Sequence, residues 1–108
     1  MEKIVEKTLL YDFYGELLTA RQKEIYEEVV FNDMSLSEAA EEYGVSRQGI
    51  HDMIRRTDKI LEGYEEKLRM VTHFEALKKL VKDIQTEAGG SCDREKILSL
   101  SEKILTEI

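Results

Sequence analysis

Seven side chains near the middle of the chain have types and spacing that could do chemistry: Ser46, Arg47, Gln48, His51, Asp52, Arg55 and Arg56. Positions 47, 51 and 55, like 48, 52 and 56, are four apart, so on a helix they form two adjacent rows along one side. An arginine can make two hydrogen bonds to a guanine edge and a glutamine two to an adenine edge, and cationic side chains also hold phosphate. The chemistry on offer is recognition of duplex nucleic acid. Covalent catalysis has no comparable set. His51 and His73 stand 22 positions apart with no nucleophile pattern, Glu27–Glu28 and Glu41–Glu42 are adjacent and splay apart on a helix, and no glycine-rich phosphate loop occurs. The single Cys92 cannot form an internal disulfide or a cysteine-based metal site. No enzymatic activity, cofactor or metal is expected.

Charge sharpens this reading. The chain carries 16 basic and 23 acidic residues, a net charge of −7, which argues against a general polyelectrolyte binder. Residues 44–59 hold Arg47, Arg55, Arg56 and Lys59 against Asp52 and Asp58, a local +2 that leaves −9 on the rest of the chain. Nucleic-acid contact must therefore come from this one patch. A few phosphate contacts give a monomer only weak binding, so a dimer or a partner is needed for useful affinity.

The elements that position the patch follow from 108 residues, 42% apolar and 36% charged, with no proline and 6 glycines. That composition is too apolar for general disorder and too charged for a membrane span, and sparse turn residues favour long helices. The fold class expected is all-α, in one domain or a domain with an appended helix. Neither a signal peptide nor an apolar run of about 18–20 residues occurs, so a cytoplasmic location is expected.

Val5, Leu9, Leu10, Phe13, Tyr14, Leu17 and Leu18 recur at helical spacing, which predicts a first helix over 4–18 interrupted near Gly15. Thr19 can cap a second, carrying Ile25, Tyr26, Val29 and Val30 and ending near Asn32 and Asp33. Ser35 with Glu38 makes a capping box for a short helix from Leu36 to Tyr43. Gly44 can reverse the chain in the left-handed region before Ser46 caps the next helix. Beyond it Ile50, Ile54, Thr57, Leu61, Tyr64, Leu68 and Val71 alternate at four and three, the seam of helices lying side by side. Gly63 admits either one bent helix or two broken there. A second stripe, Phe74 to Ile84, leads to Ala88, Gly89, Gly90 and Ser91 as a linker, and Asp93 can cap a last helix. The domain boundaries expected are 1–88 for the main domain with its motif at 35–56, 89–93 for a linker, and 94–108 for the C-terminal helix.

The stretch Ser35 to Arg56 satisfies the constraints of a helix-turn-helix. Ala40 is small where two helices cross, Gly44 makes the turn, and Leu36, Ala39, Tyr43, Val45, Ile50, Met53 and Ile54 can share an interior. The seam has two readings, packing within the chain or pairing with a second subunit. In the second, Ile54, Leu61, Tyr64, Leu68 and Val71 form a homodimer interface that places two recognition helices together. Tyr11, Tyr14 and Tyr64 lie among Asp and Glu, and they read as core and interface fillers rather than a base-stacking platform.

The run DFYGELLTARQKEIYEEVVFNDMSLSEAAEEYGVSRQGIHDMIRRTDKILEGYEEKLRM, Asp12 to Met70, resembles the YlxM family of small bacterial helix-turn-helix proteins, whose motif is similar to region 4 of sigma-70-type factors. Its most distinctive parts are DFYGELLT, DMSLSEAAEEYGVSRQ and YEEKL; residues 89–108 carry no resemblance. The resemblance implies a DNA-binding regulatory protein that takes part in the signal recognition particle pathway. The alternative it leaves is an accessory of that particle that binds no DNA and acts through RNA or protein contacts. The likeness to sigma factors is confined to the two-helix motif, because the remaining length has no room for polymerase-binding or promoter-melting regions.

Overall fold

A computed structural model describes residues 3–90 and 92–108, with six α-helices and no strand among them. The chain divides into two compact units, Met1–Leu68 and Arg69–Ile108.

In the first unit α1 spans Lys3–Tyr14 and passes into a short 3-10 turn, Gly15–Leu17, where the sequence predicts an interruption. α2, Ala20–Tyr26, starts on a capping box: the Thr19 hydroxyl accepts from the Gln22 amide while the Gln22 side chain accepts from the Thr19 amide. It widens into a π-helical turn, Glu27–Phe31, closed by the Asn32 amide donating to the Glu27 carbonyl at 3.0 Å. α3, Leu36–Tyr43, begins on the expected Ser35–Glu38 box. It stops at Gly44, whose φ of 67° lies where a side chain would be strained. α4 then runs unbroken from Arg47 to Leu68.

Two tyrosine-carboxylate hydrogen bonds tie α4 to the helices before it. Tyr14 donates to Glu65 and Tyr26 donates to Asp58, each at 2.5 Å, and Asp58 also pairs with Lys7 at 3.4 Å. Both tyrosines are buried, and burying a phenol costs little only when its hydroxyl finds such a partner. The tyrosines thus fill the core as the sequence suggests, with Tyr11 stacked on Tyr26 at 5.6 Å and Tyr64 packed on Tyr14 at 5.9 Å.

Of the two readings at Gly63, α4 takes the continuous one, and the helix ends at Arg69, which takes left-handed backbone at φ 53°. The seam from Ile50 to Val71 is consequently not one helix, since Val71 lies beyond that break. The fully buried alanine of the motif is Ala39, and Ala40 is half-buried beside it. In the heptad-like seam, burial inside the protomer takes Ile50, Thr57 and Leu61.

The second unit is a helical hairpin. It pairs α5, Met70–Gly89, with α6, Arg94–Glu107, whose first amides are capped by the Asp93 carboxylate. His73 meets Glu107 at 2.8 Å and Lys96 meets Glu87 at 3.6 Å, so the two helices are antiparallel. Ser91, part of the linker expected from sequence, lies outside the described residues. Leu100 is the one residue of this unit among those described that is buried, while Val81, Leu98 and Leu105 stay exposed.

Candidate nucleic-acid interface

The motif is built on one small core. Ile25 of α2, Ala39 of α3 and Ile50 of α4 are completely buried together, and Leu36, Tyr43, Val45, Met53 and Ile54 pack against them as the sequence pattern requires. Burying each large aliphatic side chain contributes about 1.5–3 kcal/mol, which is enough to hold α3 against the start of α4. Tyr43 is fixed further from outside: its hydroxyl donates to Glu24 at 3.2 Å and Arg21 lies over its ring at 5.9 Å. Burial, with the Glu24 carboxylate beside it, pushes the Tyr43 phenol up to about 12.

Only three residues, Gly44, Val45 and Ser46, separate α3 from α4. The tight turn is held by the Val45 amide donating to the Ala40 carbonyl at 3.1 Å and by the Ser46 hydroxyl accepting from the Gly49 amide at 2.9 Å. Ser46 is therefore the cap of α4 as well as its first outward residue. Gly49 keeps that cap close, since a methyl group there would stand 3.1 Å from the Ser46 hydroxyl.

Because Ile50, Thr57 and Leu61 point inward, the rows Arg47–His51–Arg55 and Gln48–Asp52–Arg56 point outward, and every one of these six is exposed. The face from Arg47 to Lys59 is about 18 Å long at 1.5 Å per residue, the length of a few base pairs in a major groove that admits one helix. Gln48 donates to Asp52 at 3.0 Å, and the His51 ring lies 4.0 Å from the same carboxylate. Arg47, Arg55 and Arg56 form no ion pair with any described residue, so their guanidinium groups are free to meet an external anion. Two shallow depressions flank the rows, one of about 400 Å³ lined by Leu36, Arg47, Gln48 and His51, the other of about 270 Å³ lined by Asp52, Arg55, Arg56 and Lys59. No cluster of metal-ligating side chains occurs among the described residues.

The residues read as a dimer seam have separate environments. Leu61 is fully buried within its own unit, Ile54 packs on the motif core, and Tyr64 lies against Tyr14. Leu68 at the end of α4 is 51% exposed, and Val71 is half-buried in the second unit. Sequence reasoning missed two cations near the motif, Lys3 and Lys7 of α1, which line a groove with His51 and Arg55. Their one available signal was the spacing of four that sets both on one side of a helix flanking Ile4.

A short helix and a long one meeting over a buried alanine, a left-handed glycine between them, and an exposed cationic side on the second helix define a helix-turn-helix protein. Comparison with known families agrees. The model of the UPF0122 family, described as "Putative helix-turn-helix protein, YlxM / p13 like", matches residues 1–101, and the chain belongs to that family. It is 41% identical to the UPF0122 protein YlxM of Bacillus subtilis over 104 residues, covering 96% of this chain and 94% of the relative. A UPF0122 protein of a Thermoanaerobacter species is 45% identical over 94% of this chain and 89% of its own length. Another, from Caldanaerobacter subterraneus, is 53% identical over 69% of this chain and 65% of its own. No helix among the described residues is long and apolar enough to cross a membrane.

Proposed function

We propose that this protein is a cytoplasmic DNA-binding regulator that lays the outward side of α4 in the major groove of duplex DNA. Arg47, Gln48 and His51 meet base edges, Arg55, Arg56 and Lys59 meet phosphates, and Ser46 starts the helix at the groove. The observation that carries this reading is the exposed row Arg47–His51–Arg55, whose two arginines have no carboxylate partner among the described residues although acidic residues outnumber basic ones in the chain. Free guanidinium groups at the start of a motif-bearing helix are the donors that guanine and phosphate need.

The regulator acts as a homodimer, because a single patch of +2 neutralises too few phosphates for tight binding. Leu68, exposed at the end of α4, supplies pairing surface, since Leu61 is covered within its own chain. The family resemblance connects its role to the signal recognition particle pathway. A second reading, an accessory of that particle acting through RNA or protein contacts, draws on the −9 carried outside the patch.

Fluorescence anisotropy with labelled duplex DNA, measured across a salt series, separates the two. The three phosphate contacts per chain give a slope of about −3 per chain in log affinity against log salt. Arg47→Ala and Arg55→Ala are each expected to weaken binding about tenfold at low salt. Absence of binding at low salt, with binding to structured RNA retained, favours the second reading.

A further inference from the structure

An open groove of about 540 Å³ runs along the first unit beside the recognition helix. Its lining is apolar: Ile4 from α1, Val30 from the π-helical turn, and Ile54 from α4. Its rim is cationic, with Lys3, Lys7 and Arg55 against one carboxylate, Asp58. That carboxylate is already held by the Tyr26 hydroxyl and by Lys7, and Lys3 and Arg55 form no ion pair among the described residues. Ile4 is 47% exposed at the groove edge. The π turn widens the helix where Val30 stands, a distortion that costs hydrogen-bond geometry and recurs at binding sites.

We propose that this groove docks an acidic amphipathic helix of a partner protein. Apolar side chains at helical spacing on such a helix cover Ile4, Val30 and Ile54, while its flanking carboxylates meet Lys3, Lys7 and Arg55. Charge complementarity selects this occupant, because a cationic rim is the exception on a chain of net charge −7 and attracts acidic partners. A nucleic-acid backbone fits less well, since the aliphatic lining offers phosphate no donor. Arg55 and His51 belong both to this groove and to the outward side of α4, so the docked helix and a duplex exclude one another. That exclusion rests on the DNA-binding reading; the docking does not.

The test uses the full chain and two fluorescein-labelled helical peptides that share one leucine stripe, the first flanked by glutamates and the second by lysines. Binding of the glutamate peptide at least tenfold tighter than the lysine peptide is expected. Lys3→Glu and Ile4→Asp, both at exposed positions on α1, are expected to weaken it about fivefold each with the thermal melt unchanged. Equal affinities for the two peptides, or no effect of either substitution, overturn the proposal. If the substitutions weaken duplex DNA instead and leave the peptide unaffected, the groove belongs to a nucleic-acid footprint and the docking is likewise rejected. Arg47→Ala lies outside the groove, so its effect on DNA alone reports failure of the DNA reading independently of the peptide result.

Discussion

The Tyr26 hydroxyl donates to the Asp58 carboxylate at 2.5 Å, bridging residues 32 apart in sequence and fixing α4 against α2 half a turn beyond Arg56. The same contact that anchors the core therefore orients the exposed arginines. Tyr26→Phe keeps the ring and removes the bond, and a hydrogen bond to a charged group contributes about 1.5–3 kcal/mol. A loss of about 2 kcal/mol in urea unfolding is expected, and an unchanged midpoint would show that the pair holds nothing.

Gly44 offers a cleaner test of the turn. A methyl group there meets no atom within 4 Å, so the cost of Gly44→Ala is conformational and comes from φ 67° alone. Left-handed backbone disfavours a side chain by about 1–2 kcal/mol. The melting temperature is expected to fall by about 4–8 °C for each kcal/mol lost in a domain of this size. A melt as high as that of the unsubstituted protein would mean the turn adopts another conformation.

Alkaline pH acts through the tyrosines. Burial and the Glu27 carboxylate raise Tyr11, burial and Asp58 raise Tyr26, and Tyr43 is pushed up to about 12. The folded state therefore keeps phenol protons that the unfolded chain releases near pH 10. The stability these groups contribute is complete below about pH 10 and is lost as pH rises from there through the raised folded values. In an absorbance titration at the phenolate band, at least three of the 5 tyrosines are expected to hold their protons past the unfolded transition. Superposition of native and denatured curves contradicts this.

Pairing of two chains is tested at Leu68, which stands exposed at the end of α4. Leu68→Lys is expected to shift sedimentation from dimer toward monomer and to reduce the salt slope of DNA binding about twofold. A chain that sediments as a monomer at every concentration removes the dimer from the proposal.

Much of the fold is legible in the residues because local signals agree with the packing. The Ser35–Glu38 box, the Gly44 stop and the Asp93 cap each satisfy backbone donors or carbonyls at a place where only a few residue types can. The motif core is likewise readable, since apolar spacing on α3 and α4 dictates which sides meet. The break at Arg69 is not, because an arginine in left-handed backbone carries no glycine signal, while Gly63 carries one in a helix that stays intact. Periodicity also cannot tell whether an apolar residue is covered by its own chain or by another, and Leu61 is covered by its own. Lys3 and Lys7 escaped notice for a related reason: their nearness to Arg55 is tertiary, with no local pattern to announce it.

Nuclear magnetic resonance of the isotope-labelled full chain, titrated with duplex DNA at low salt, asks which surface touches the duplex. Amide shifts gathered over residues 46–59, and saturating at about tenfold more duplex in Arg47→Ala, are expected if the outward side of α4 enters the groove. Shifts centred on α5 and α6, or none at all at low salt, would contradict that placement.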